Sequence, residues 1–134
     1  MPVKKNNPGR ISKTSETRSV YKTRTGRGAS LSKNRILLKC KKTLARIYGE
    51  RLKGLILYGS MARKESAPAS DIDLLVLLTP PVDYFTELWR LVDVLYPIQL
   101  ESERLISAKP VSIADYEAGK ISLYRNAKRE GIAV

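Results

Sequence analysis

Apolar residues recur along this chain at two different spacings. Ile36, Leu37, Cys40, Leu44, Ile47 and Tyr48 fall on one side of a helix that the spacing predicts between Leu31 and Tyr48. Ser32 is placed to cap its start, and Gly49 to stop it. Lys39, Lys41, Lys42 and Arg46 occupy the other side, which reads as a solvated face. The spacing then changes. Leu55-Ile56-Leu57-Tyr58 is a short continuous apolar run that predicts a buried strand over 53–58, broken by Gly59-Ser60. Met61–Lys64 reads as the first turn of a short helix. Glu65–Ser70, with Pro68, reads as a loop that turns the chain back. A second strand enters at Asp71, continues through Leu74-Leu75-Val76-Leu77-Leu78 and ends at Thr79-Pro80-Pro81.

Asp83 is placed to cap a helix through Tyr96, with Phe85, Leu88, Leu91, Val92 and Leu95 on one face and Pro97 as its stop. Residues 98–107 are strand-like, although they include Glu101 and Glu103. Ser112-Ile113-Ala114-Asp115 has the form of a capping box, opening a helix that runs to Ala118 and breaks at Gly119. A last helix is expected over 120–130, stopped by Gly131. The order is helix, strand, strand, helix, strand, helix, helix. The expected class is α+β, a small mixed sheet with helices packed on one face. The other face, carrying the acids, would then form one wall of a cleft.

The chain has 134 residues, which suits one domain. No apolar run approaches the roughly 20 residues of a membrane span. The chain opens with no charged-then-apolar leader, so the expected location is cytoplasmic. The single cysteine, Cys40, excludes an internal disulfide and reads as a small buried apolar residue. Histidine is absent. This excludes Ser-His-Asp and Cys-His mechanisms and argues against a zinc site. The net charge is +12, and residues 1–30 hold eight Lys or Arg against one acid, Glu16, or +7 of it. That segment has almost no large apolar residues, so it is expected to be a disordered basic tail ahead of a domain over 31–134. Such an arm suits RNA or another anionic surface, or is simply a solvated tail.

The candidate chemistry lies between the first two strands. Side chains alternate along a strand, so Asp71 and Asp73 point the same way, about 6–7 Å apart along the backbone. Paired carboxylates are hard oxygen ligands suited to Mg²⁺, which also keeps waters and substrate phosphates. Gly59 lets a phosphate approach its backbone, and Ser60 adds a hydroxyl. Arg63 is positioned either to reach a triphosphate or to pair with a surface acid. Alone, Asp71 would read as a turn residue. Asp73 sits inside an apolar strand, where a charge is costly unless paired, exposed or bound to metal.

Gly59-Ser60, ten residues, then Asp71-x-Asp73 resembles the signature of the DNA polymerase beta-type nucleotidyltransferases. The Gly59-Ser60-x-Ala62-Arg63 form and the short chain most resemble the minimal nucleotidyltransferases. The resemblance spans about residues 35–134. It implies the nucleotidyltransferase fold, two Mg²⁺ ions, and ATP as the donor of AMP to a hydroxyl. It also implies a third carboxylate on the next strand, for which Glu101 is the first candidate and Glu103 the second. The catalytic and metal set is then Asp71, Asp73 and Glu101, with Gly59, Ser60 and Arg63 on the nucleotide. By the same resemblance the setting is a toxin–antitoxin pair with a small helical partner protein of the HEPN type. Two other readings stand beside this one: a catalytically inactive binding module of the same fold, and a basic nucleic-acid-binding protein. The last leaves Asp73 unexplained.

Overall fold

The computed structural model describes residues 34–59, 61, 62 and 70–134. The basic tail over 1–30 and the cap expected at Ser32 lie outside the described residues. Helix α1 spans Arg35–Tyr48, and Asn34 caps it by accepting from the Ile36 and Leu37 N–H groups. Leu37, Cys40, Leu44 and Tyr48 are buried, whereas Ile47 is exposed. Gly49, with φ +56°, ends the helix as expected. A single 3₁₀ turn then leads into β1, Leu52–Tyr58, and β2 spans Ile72–Leu78.

Two expectations fail in the next stretch. Helix α2 runs from Tyr84 to Glu101, straight through Pro97, and the third strand begins only afterwards, as β3, Ile106–Ser112. Proline costs the helix one hydrogen bond, and here tertiary packing outweighs that loss. Ile98, one residue past the proline, is buried in the core with Leu91 and Leu95. The apolar character of residues 98–100 therefore belongs to a helix, and a short run of this kind cannot be separated from a strand by periodicity. Asp83 caps α2 as expected, its carboxylate accepting from the Thr86 N–H. Helices α3, Ile113–Ala118, and α4, Ser122–Glu130, follow close to their expected places. Ser112 precedes α3 but makes no capping hydrogen bond with its side chain. The chain closes with β4, Ile132–Ala133, which the sequence pattern does not announce.

Among the described residues the four strands form one sheet in the order β3-β2-β1-β4. β1 is antiparallel to β2 and to β4, whereas β2 and β3 run parallel. The sheet is therefore mixed and the class is α+β, as expected. The helices, however, occupy both faces. Leu55 and Leu57 of β1 and Leu74, Val76 and Leu78 of β2 face α1 and α2. Ile56, Leu75 and Leu77 face the opposite way, toward Val111, Tyr116 and Ala127. The short α3 and α4 cover the second face at that end. Alternation along β2 puts Asp73 on the same face as Leu75 and Leu77. The acids thus lie on the second face, beyond the part that α3 and α4 cover.

Between α1 and α2 lies a polar contact inside the core. Glu87 is only 6% exposed. Its carboxylate accepts from the Tyr48 hydroxyl at 2.9 Å and from Arg51 Nη1 at 3.1 Å. Arg51 also donates to the Pro81 carbonyl at 3.1 Å. The buried charge is thereby paired, and the start of α2 is tied to the end of α1.

Candidate active site

The site is built where the polar ends of β1 and β2 meet. Tyr58 is the cross-strand partner of Asp73, so both side chains stand on one face. Gly59 follows with φ +80°, a conformation that side-chain-bearing residues rarely adopt. It is also hard against the acid, because a Cβ on Gly59 would lie 2.6 Å from Asp73 Oδ2. Glycine is therefore required here twice over, for backbone conformation and for room. Met61 and Ala62, in the turn that follows, are buried in the core. Ser60 and Arg63 lie outside the described residues.

Asp71 is exposed just ahead of β2, and Asp73 is half-buried within it. Burial pushes the Asp73 carboxyl up from its ordinary value. The Asp71 charge pushes it further the same way, and Lys109 partly opposes both. The two carboxylates are thus close enough to repel one another, an arrangement that a bound cation would relieve.

The approach to Asp71 is held from α2. Gln99 accepts from the Ile106 N–H at 2.7 Å and donates to the Arg104 carbonyl at 3.0 Å. Arg104 Nη1 donates to the Ser70 carbonyl at 3.0 Å, and the Ile72 N–H donates to the Leu105 carbonyl at 2.8 Å. The amide and guanidinium therefore fix the backbone on both sides of Asp71. Neither Gln99 nor Arg104 is marked by any motif.

The structure places Glu101 elsewhere than expected. It is the last residue of α2, where its carboxylate accepts from Lys39 and lies 3.6 Å from Arg35. Lys39 accordingly lowers the Glu101 carboxyl below its ordinary value. This contact is made with α1, on the face of the sheet opposite Asp73. Glu103 is exposed in the turn between α2 and β3. Neither acid lies on the third strand. Beside Asp73 that strand carries Ser107, in register with it, and then Lys109, in register with Leu75. Lys109 also stands beside the Tyr58 hydroxyl, whose proton burial helps to retain. Sequence reasoning missed Lys109 and Tyr58. A lone cation in the strand Ile106–Ser112 was the available signal, on the argument already applied to Asp73. The misplaced strand hid it.

Two neighbouring carboxylates thus stand at a strand entrance, beside a glycine of positive φ and on the sheet face that also carries Leu75 and Leu77. The family profile described as "Nucleotidyltransferase domain" matches residues 37–128, and the chain belongs to that family. The fold and the match agree with a minimal nucleotidyltransferase of the DNA polymerase beta-like superfamily. No curated protein sequence matches the chain. No helix among the described residues is long and apolar enough to cross a membrane.

Proposed function

We propose that this enzyme transfers AMP from ATP to a hydroxyl acceptor, with Mg²⁺ held by Asp71 and Asp73. The observation that carries this reading is the Asp73 carboxylate. It is half-buried, repelled by Asp71, and packed against a glycine with positive φ. Such an arrangement is costly in a fold unless it has a use. The donor set fits a hard divalent ion, since both groups are carboxylates. When bound, that ion would neutralise charge on the phosphate under attack. The chain's own residues do the rest. Gly59, having no side chain, would let a phosphate oxygen approach its backbone. Ser60 and Arg63, next along the sequence, are proposed to complete the triphosphate contact. Gln99 and Arg104 keep Asp71 in place. Leu75 and Leu77, buried against Val111, Tyr116 and Ala127, anchor the strand behind Asp73.

The acceptor is proposed to be a small helical partner protein of the HEPN type, in a toxin–antitoxin setting. The outer side of α2 supports a protein partner, because Phe85, Trp89, Val92, Tyr96 and Leu100 are all exposed along it. The basic segment over 1–30 is proposed to add contact with RNA through its charge. A second reading is favoured by one observation: β3 bears no acid, and Glu101 is engaged by Lys39. On that reading the chain is an inactive binding module. Incubation with α-labelled ATP, Mg²⁺ and the candidate acceptor separates the two. Transfer of label by the parent, and its loss in Asp73→Asn, is the expected result. Binding of ATP without any transfer would establish the second reading.

A further inference from the structure

The strand beside Asp73 has a charge of the opposite sign from the one a two-ion site would use. β3 reads Ile106-Ser107-Ala108-Lys109-Pro110-Val111-Ser112 and contains no carboxylate. Its pairing with β2 is parallel and in register over the whole length, so the placement of Lys109 on the Asp73 face is unambiguous. The ammonium acts on Asp73 and on Tyr58 together. Among the described residues no three His, Cys, Asp or Glu side chains gather as a metal site. Two divalent ions about 3.5–4 Å apart need carboxylates enough to offset their repulsion. Here a pair of acids stands beside a fixed cation, which repels a second ion.

The charge balance shows what the lysine could replace. A carboxylate together with the divalent ion it helps to hold contributes one net positive charge. One ammonium contributes the same. We propose that this site holds a single divalent ion on Asp71 and Asp73, and that Lys109 supplies the second positive charge by binding a phosphate of the nucleotide. When the ion occupies the carboxylates, Lys109 gives up its share of Asp73. Its three N–H donors then serve the triphosphate and the Tyr58 hydroxyl. Lys109 is thus a binding residue of the reaction, in the place a third acid would take. The inference rests on the nucleotidyl-transfer reading.

The test counts ions, with no need for turnover. The full chain is titrated with Mn²⁺ in the presence of a non-hydrolysable ATP analogue, and bound Mn²⁺ is followed by electron paramagnetic resonance. One ion per chain is expected in the parent, and two in Lys109→Asp, which restores an acid at that position. Lys109→Met is expected to bind the analogue about tenfold or more weaker, since a charge-assisted hydrogen bond is lost. Lys109→Arg should stay within a few-fold of the parent, and thermal melts of both variants establish that they are folded. Two tightly bound ions in the parent would overturn the proposal, as would parental affinity in Lys109→Met. Those two results leave the nucleotidyl-transfer reading standing. Failure of the parent to bind the analogue with or without Mn²⁺ would instead bring down that reading, and this inference with it.

Discussion

Asp73 stands where burial and the neighbouring Asp71 both disfavour its charge, and Lys109 only partly offsets them. Its carboxyl therefore keeps a proton to higher pH in the folded chain than in the unfolded one. Stability from this group is present at acid pH and is lost as pH rises from the ordinary carboxylate range through the raised value. At neutral pH the ionised group strains the fold. Asp73→Asn should thus melt at a higher temperature than the parent at pH 7 while losing transfer. The difference should vanish below the ordinary carboxylate range, where the parent is also uncharged. Melting curves at pH 7 and about pH 3 check this, and a lower melting temperature for the variant at pH 7 would refute it. Gly59 is the second sensitive residue. Gly59→Ala should cost about 1–2 kcal/mol through its positive φ. It should also push Asp73 aside, so that Mn²⁺ binding weakens more than stability does. Cys40 needs no role, because burial pushes its thiol up to about 11, and it packs as a small apolar residue.

Helix α2 joins the core to the site. Its buried side carries Leu91, Leu95 and Ile98, its first turns carry Glu87, and its last turn carries Gln99. Glu87 is accommodated in the core because Tyr48 and Arg51 hold both of its oxygens. Burial, and then the hydrogen bond to Glu87, hold the Tyr48 hydroxyl firmly protonated. Tyr48→Phe keeps the ring and removes one hydrogen bond to a charged group, so it should cost about 1.5–3 kcal/mol by denaturant titration. Nucleotide affinity should be unchanged, since this contact lies on the opposite side of the sheet from Asp73. A destabilisation below about 0.5 kcal/mol would show that water satisfies the carboxylate instead. The exposed ion pairs, such as Lys120 with Asp115 at 3.9 Å, contribute little by comparison.

At the scale of the molecule, charge and chemistry are divided along the chain. The proposed site residues begin at Gly59, and residues 1–30 carry +7 of the +12 net charge. A chain beginning at Asn34 should therefore bind the ATP analogue as the full chain does. RNA binding, if measured over a range of salt, should be steeply salt-dependent in the full chain and weak in the shortened one. Loss of nucleotide binding on shortening would show that the basic segment is part of the site. The exposed apolar side of α2 makes a separate surface, on the far side of the sheet from the acids.

Local pattern was sufficient for the strands around Gly59, for the pairing of Asp71 with Asp73 and for the caps at Gly49 and Asp83. Each of these depends on near neighbours: alternation, a conformation open to glycine, or a carboxylate three residues from an N–H. The family signature could be read for the same reason, since its residues are close in sequence. The end of α2, the strand β4 and the side of the sheet taken by α3 and α4 depended on partners far along the chain. Pro97 argues locally for a stop, but Ile98 gains a place in the core only when α2 continues. The expectation of a third acid failed by the same route. Glu101 turned to Lys39, 62 residues away in sequence. The parallel pairing of β3 with β2, which no local rule predicts, brought Lys109 to the face of Asp73.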